Sequence, residues 1–470
     1  MYEDGSFCYP IGLNIRSPSD QRNRENLDFA LPPEEDGLRT MERYIGQMHG
    51  AGMNFARTWL TSWWLGLEWR RDWPGFQGLG RYNLQNAWRM DALLDCARTN
   101  GVLLEFTLNY QAPFITRYDA EWWLCPYNAM NGGPLRAPEH VLTHPEAKRL
   151  FRNYYRYIGA RYGWDPQVFG WTLWNEVNEV NWNPDVQREW HGKMAGVLRS
   201  FDQGRHMVST EFIGDPGMPE VWGLPEIEYT QLSAYNRGLG LVDTFAARVA
   251  DLESFGKPIV LEEYGGHAGG CIMPAIASEV HDGLWIAWTM PVASAPMAWW
   301  WNLIFEKGLD RYYSAFAKFA QGEDLRGEDW VCERLTVDGA PGLAALTRRG
   351  KSRAHGWIYS PALTELKFPF AEWRLQSGQL NREYRLRVSR RFDPLSRDPG
   401  ARFANVSNGA ITIRGMSAGR YRARFYDTWD PDKPVVETTV QTDGADLRVQ
   451  LPPLDRDMGF KLDQVDGKGL

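Results

Sequence analysis

Long apolar runs are missing from this chain. The longest, such as Trp285–Trp288 and Met297–Trp301, fall far short of the roughly 20 residues that cross a bilayer. No basic-then-apolar leader opens Met1–Asn14. The expectation is a protein without a membrane segment, either cytoplasmic or secreted with a trimmed leader. Cysteine is scarce. Cys8, Cys96, Cys125, Cys271 and Cys332 form an odd, scattered set with no CxxC pair, which argues against a disulfide framework and a structural zinc site. The 8 histidines make no HxH or HExxH pattern, which argues against metal-dependent hydrolases. Positive charge is in deficit too. Lys and Arg number 52 against 59 Asp and Glu, a net charge of −7. That is the wrong sign for a surface that neutralises nucleic-acid phosphates. Repeats of 20–50 residues and low-complexity tracts are also lacking.

Tryptophan, by contrast, is abundant. There are 23 Trp beside 20 Tyr and 21 Phe. Hydrophobic residues at 43% and charged residues at 24% are ordinary for a folded protein and exclude whole-chain disorder or coiled coil. A core does not need so many indoles. Trp joins a broad apolar face to one polar handle, and the C–H faces of pyranose rings stack on such surfaces. An aromatic-rich core is the plainer alternative.

From Tyr9 to about Asp324, short apolar runs alternate with longer amphipathic stretches, the pattern of strand–helix repeats on a parallel sheet. Strands are expected at Tyr9–Ile15, Met53–Trp59, Val102–Asn109, Val168–Val177, His206–Glu211, Ile227–Tyr235, Pro258–Tyr264 and Met297–Asn302. Helices lie between them. The Asn100–Gly101 pair reads as a C-cap, and Pro145 opens a helix at its first turn. Eight such units predict a (β/α)8 TIM barrel, in the α/β class, with long loops. An open doubly wound sheet would bring a Gly-rich phosphate turn after its first strand, and Gly12–Pro18 has none.

Beyond Trp330 the pattern changes to period two. Arg385–Val388, Ile411–Arg414, Tyr421–Tyr426, Leu447–Leu451 and Gly459–Leu462 predict a smaller all-β sandwich domain. The division falls at residues 1–328 for the barrel and 329–470 for the sandwich. Arg385, Arg387, Arg422 and Arg424 read as solvated strand faces. The sandwich is expected to dock on the barrel and to supply no catalytic residue.

Chemistry in such a barrel sits at the C-terminal strand ends. Strand four ends Trp174-Asn175-Glu176, and strand seven ends Glu262-Glu263-Tyr264-Gly265. Strand two ends at Arg57, strand three at Asn109, strand six at Tyr235, and strand eight in Trp299–Trp301. Two carboxylates at opposed strand ends in a Trp-lined mouth suit glycoside hydrolysis without cofactor or metal. Glu176 and Glu263 are the candidates, with Arg57, Asn109, Asn175, Tyr235, Trp299 and Trp301 as substrate-binding candidates. Adjacent Glu262 and Glu263 should point to opposite sides of a strand, leaving Glu262 toward the surrounding helices or loops. The loops Leu60–Tyr82 and Tyr110–His144 carry Trp63, Trp64, Trp69, Trp73, Trp122, Trp123 and Tyr127. Loops this long are usually functional, and they read as walls of sugar subsites. Packing against each other or against a neighbouring subunit is the alternative.

This ordered set resembles the clan A retaining glycoside hydrolases, most of all the family 5 (cellulase-like) enzymes. Over about Tyr9–Asp324, Arg57, Asn175-Glu176, Tyr235, Glu263-Tyr264-Gly265 and a Trp among Trp299–Trp301 match the family's strand-end pattern. The resemblance implies that Glu176 is the acid/base and Glu263 the nucleophile. In the family's strand-six His-x-Tyr only the Tyr is kept, and Ser233 replaces the His. The physical roles follow. Arg57 can hold Glu263 ionised, Tyr235 can donate to the same carboxylate, and Asn175 can donate to the substrate's 2-hydroxyl. The expected activity is a retaining β-glycosidase on gluco- or manno-configured β-linked glycans. Its partner is an oligo- or polysaccharide, with no nucleic acid and no membrane. A transglycosylase using the same pair and a catalytically inert carbohydrate-binding barrel are the alternatives.

Overall fold

The computed structural model describes residues 4–19, 37–117, 120–213, 217–236, 240–266, 273–364, 402–444 and 446–465. The expected strand Arg385–Val388, its two arginines and Cys271 lie outside these residues.

Five parallel strands come first: β1 (Gly12–Asn14), β2 (Phe55–Trp59), β3 (Leu103–Thr107), β4 (Val168–Thr172) and β5 (Met207–Ser209), side by side in sequence order. A second parallel sheet continues them as β6 (Glu211–Phe212), β7 (Thr230–Ser233) and β8 (Ile259–Glu263). Only Thr210 separates β5 from β6, so these are two pieces of one barrel strand. Ala298 closes the ring, bridging in parallel to Leu13 on one side and Tyr264 on the other. The predicted eighth strand Met297–Asn302 is therefore short. A helix, Trp301–Glu306, already begins where the strand was expected to run on.

Helices between the strands follow local signals. Asn83 caps Leu84–Asn100 by accepting from the backbone N–H groups of Gln85 and Asn86, and Gly101 ends it in a left-handed conformation. Pro145 starts Pro145–Tyr162, where its missing N–H costs nothing.

The barrel interior is layered. At its lower end Phe55, Tyr229, Val260 and Met297 form a closed apolar cluster. Above them the same inward faces turn polar. Glu105 accepts hydrogen bonds from Gln231 Nε2 at 2.7 Å and from the Thr172 hydroxyl, beside Arg57. Two residues along a strand keep the same face, so Phe55 lies in the apolar layer and Arg57 in the polar one. Most buried polar groups are paired, and this layer sets charged side chains below the barrel mouth.

After residue 330 the chain forms a smaller all-β domain. A six-stranded antiparallel sheet has the order β14-β13-β16-β11-β10-β9, and β12 pairs with β15. The strands are β9 (Val331–Thr336), β10 (Ala344–Arg349), β11 (Arg353–Tyr359), β12 (Ala410–Arg414), β13 (Gly419–Asp427), β14 (Val436–Thr442), β15 (Asp446–Gln450) and β16 (Met458–Gln464). In β13, buried Tyr421, Ala423 and Phe425 alternate with Arg420, Arg422 and Arg424. Arg422 and Arg424 lie against Glu437 and Asp463. The domain has its own core around Ile358, Ile411, Tyr421, Val449 and Phe460.

Other side chains of this domain, among them Leu346, Trp357, Tyr359 and Tyr426, join the barrel core instead. The contact is close. A Cβ on Gly459 would stand 2.6 Å from the Trp285 ring, so only glycine lets that strand approach. A polar clasp seals the edge. Lys461 Nζ donates to Glu323 Oε1 at 2.6 Å and to the Phe319 carbonyl at 2.5 Å. His355 Nε2 stands 3.3 Å from Glu323 Oε2. Burial opposes the Glu323 charge, but His355 and Lys461 outweigh it and its pKa falls to about 2. Burial lowers the His355 pKa and that of Lys461, while Glu323 pulls both back up.

The sign of the linkage is then fixed. A depressed carboxyl stabilises above its unfolded pKa and loses that contribution as pH falls through the folded one. Glu323→Gln should lower stability at pH 7 by about 2 kcal/mol. The gap to the unaltered protein should close between about pH 4.5 and pH 2. Thermal unfolding followed across pH checks this; a gap that stays constant to pH 2.5 would refute it.

Candidate active site

The strand ends converge on one buried guanidinium. Arg57, the third residue of β2, is fully buried. Its Nη1 is 3.1 Å from Glu263 Oε1, and its Nη2 donates to Asn175 Oδ1 at 2.6 Å. Nη1 also reaches Asn14 Oδ1 at 3.2 Å. The Tyr235 hydroxyl donates to the other Glu263 oxygen at 3.0 Å. Arg57, Asn175, Tyr235 and Glu263 are thus one connected set. Because Asn175 Oδ1 faces Arg57, its amide nitrogen, which bonds to no described residue, is left as a donor. Burial opposes the Arg57 charge, but Glu262, Glu263, Glu105 and Glu211 around it more than compensate, and its pKa stands above the ordinary value.

Glu176 follows directly on Asn175. Its backbone is left-handed, φ 50° and ψ 41°, a region that side-chain-bearing residues rarely enter. Two groups hold it there. Its N–H donates to Glu211 Oε2 at 2.5 Å, and its Oε2 accepts from Gln111 Nε2 at 2.6 Å. Unlike the buried Glu262, Glu176 reaches solvent.

Glu262 departs from expectation. It does not point toward the helices; its Oε2 lies 3.7 Å from Arg57 Nη1, inside the barrel, and the residue is fully buried. The β7–β8 register slips beside it. Leu232 pairs with Leu261, but the next residue, Ser233, pairs with Glu263. Val260 lies in the interior cluster, so alternation carries Glu262 to the same side; one extra residue in β8 makes a bulge, which re-aims Glu263, the side chain that alternation would send outward. Glu262 and Glu263 consequently share the inner face. The turn that follows needs Gly265, whose φ is +103°. The Trp300 indole N–H donates to the Gly265 carbonyl at 2.8 Å.

Glu211, Gln111 and Asn14 were not singled out from the sequence. Glu211 stands at the end of the fifth barrel strand, a position where any carboxylate could have been flagged. It accepts from Ser233 Oγ at 3.2 Å, so the residue in place of the family's His has a partner of its own. Asn14 Nδ2 donates to the carbonyls of Glu262 at 2.8 Å and of Met297 and Ala298 at 3.3 Å.

Asn109 is used differently from the sequence expectation. Its amide donates to the Tyr155 hydroxyl at 2.6 Å and the Leu173 carbonyl at 2.9 Å, so both amide hydrogens tie strand three to its neighbours. Trp299 packs 5.3 Å from Trp59, ring to ring, and Arg16 lies against the rings of Trp59, Trp63, Trp299 and Trp301. Trp301 donates its indole N–H to the Ser17 carbonyl at 2.9 Å. The mouth loops also correct an expectation. Trp64, Trp69, Trp122 and Tyr127 are buried, whereas Trp63 and Trp123 are 44% and 59% exposed. The buried members pack within and beneath the loops rather than facing a sugar. A cavity of about 60 Å³ between the loops, lined by Trp69, Asn109, Tyr110 and Tyr127 among others, has room for a few waters. Among the described residues no group of three or more His, Cys, Asp or Glu is arranged to hold a metal ion. No helix among them is long and apolar enough to cross a membrane.

No protein-family model matches the chain. Over 209 residues it is 24% identical to the probable mannan endo-1,4-beta-mannosidase F of Aspergillus flavus, covering 39% of this chain and 42% of the relative. Over 203 residues it is 25% identical to the mannan endo-1,4-beta-mannosidase A of Podospora anserina, covering 39% and 52%. The chain thus spans about half the length, or less, of these relatives. Among solved structures it is similar to a glycoside hydrolase family 5 protein from Bacteroides vulgatus. The TM-score is 0.58 at 11% identity, with 99% of this chain and 91% of that one covered. A putative glycoside hydrolase from the same species gives 0.55 at 12% identity, covering 99% and 80%. The likeness shows a shared fold, and with the mannosidase relatives it supports the resemblance to family 5 glycoside hydrolases.

Proposed function

We propose that the chain is a retaining β-glycosidase that hydrolyses β-linked mannan by double displacement. The observation that carries the reading is the Arg57-centred network, which gathers Glu263, Asn175 and Tyr235 and has Glu176 one residue from Asn175. Glu263 attacks the anomeric carbon. Glu176 gives its proton to the departing glycosidic oxygen, then takes one from the water that releases the sugar. Arg57 and Tyr235 orient the attacking carboxylate, so little reorganisation remains at the moment of attack. The Asn175 amide hydrogens are placed to meet the 2-hydroxyl, a contact that strengthens as positive charge grows on the ring. Trp299, buried against Trp59 and Arg16, backs the site with an apolar wall.

The mannan preference rests on the two mannosidase relatives. The division into a catalytic barrel at 1–328 and a supporting β domain at 329–470 belongs to the same proposal: the named site residues all lie between Asn14 and Trp301. Purified protein should depolymerise β-mannan faster than carboxymethyl cellulose. Proton NMR of the first product formed should show the β-anomer before mutarotation. An α-anomer first would refute retention, and absence of turnover on every β-mannan and β-glucan would refute the activity.

A further inference from the structure

Four carboxyl groups surround one guanidinium at the floor of the site. Arg57 faces Glu105 from β3, Glu211 from β6, and Glu262 and Glu263 from β8, and all five residues are buried. Glu105 and Glu263 receive hydrogen bonds from Gln231, Thr172, Arg57 and Tyr235. Glu262 does not. Neither of its oxygens accepts from any described residue, and its Arg57 contact at 3.7 Å is longer than a hydrogen bond. The group that meets it is the Glu211 carboxyl. Glu211 in turn accepts from Ser233 Oγ and from the N–H of Glu176.

Two ionised carboxylates facing each other in a low-dielectric interior repel strongly, and neither can offer the other a donor. One proton held between them removes a charge and supplies the missing donor at once. Burial, then the charge of Glu211, hold the Glu262 carboxyl well above the usual carboxylate range, the direction this arrangement requires.

We propose that Glu211 and Glu262 are a positioning pair sharing one proton, in which Glu262 donates to Glu211 and Glu211 holds the backbone of Glu176 in its left-handed conformation. The positioning role rests on the reading of Glu176 as the acid/base; the shared proton does not. A left-handed backbone on a residue with a side chain persists only where its surroundings over-determine it. A charged acceptor on its N–H is a strong constraint of that kind. The Glu262 proton leaves Glu211 as the single anion of the pair, so the acceptor under Glu176 keeps its full charge. Alternation from inward-facing Val260 places Glu262 beside Glu211, and the β8 bulge adds Glu263 to the same face.

Infrared difference spectra at pH 7.5, where an exposed carboxyl is ionised, test the proton without any substrate. The unaltered protein should show a protonated-carboxyl C=O band that both E262Q and E211Q remove. In E211Q the new amide donates to Glu262, which then ionises. A band that neither substitution changes would overturn the shared proton. Kinetics on the best glycan test the positioning. E211Q should lower kcat about 10²-fold with KM within threefold, the scale of a misplaced catalytic group. E262Q, whose amide still donates, should lose less than tenfold, and E262L, which cannot donate, should lose as much as E211Q. If E262Q were as damaged as E262L, the donated hydrogen would not be what matters. If no glycan were turned over, the infrared result would still decide the pair, while the glycosidase reading alone would fall.

Discussion

Glu263→Ala should stop turnover, by at least about 10⁴-fold in kcat, and added azide should restore it with the α-glycosyl azide as product. The substitution removes the group that Arg57 and Tyr235 hold, at 3.1 and 3.0 Å. It leaves a small space beside a buried cation. A small anion fits there and attacks from the same face as the lost carboxylate. Because only one displacement then occurs, the product carries inverted configuration. Glu262 is the competitor, since it faces inward as well. It is fully buried, whereas Glu263 keeps 5% exposure, so the substrate can touch Glu263 first. Product analysis by NMR decides. An α-azide from the Glu262 variant, and none from Glu263→Ala, would show that the strand-seven assignment is off by one residue.

Glu176→Ala is expected to slow deglycosylation by about 10²–10⁴-fold, the usual worth of a general acid–base group, and azide should here give the β-product. The nucleophile is intact in this variant, so the glycosyl-enzyme still forms from aryl glycosides whose leaving group needs no proton. It then waits for a water that nothing activates. Azide needs no activation and completes the second displacement, giving net retention. With natural polysaccharide, where the leaving oxygen does need a proton, both steps should fail. A loss as large on dinitrophenyl glycosides as on mannan in the first turnover, measured by burst kinetics, would show that Glu176 does something other than proton transfer.

Much of this was legible in the chain itself. Apolar runs ending in Arg57, Asn175-Glu176 and Glu263 marked the barrel strands and their upper ends, because a strand buried on both faces is nearly continuous in its hydrophobicity. What escaped was what alternation alone cannot carry. The rule that neighbours point to opposite sides presumes an unbroken register, and the slip between Leu232 and Ser233 lies in the pairing of two strands far apart in sequence. Glu211 escaped for a related reason. Its main partner is a backbone N–H of Glu176, 35 residues away, and such a bond leaves no residue pattern. Trp299–Trp301 looked like strand because three indoles give no period; the chain turns into helix at Trp301. Of the loop tryptophans, Trp64, Trp69 and Trp122 pack inside while Trp63 and Trp123 are exposed, and composition does not distinguish an indole that packs from one that is offered.

Asn14 has a consequence for how the molecule comes into being. Its one amide nitrogen fastens carbonyls at Glu262, Met297 and Ala298, residues 248 to 284 positions later in the chain. Contacts between segments so distant form slowly, because the intervening chain must be brought together first. During synthesis the earliest strand emerges long before the segment that locks it, and the carbonyl next to the proposed nucleophile is part of that lock. On the proposed function, the seam of the barrel and the catalytic centre mature together, and a nascent chain that has not yet delivered Ala298 should be catalytically silent however much of its helical shell has folded.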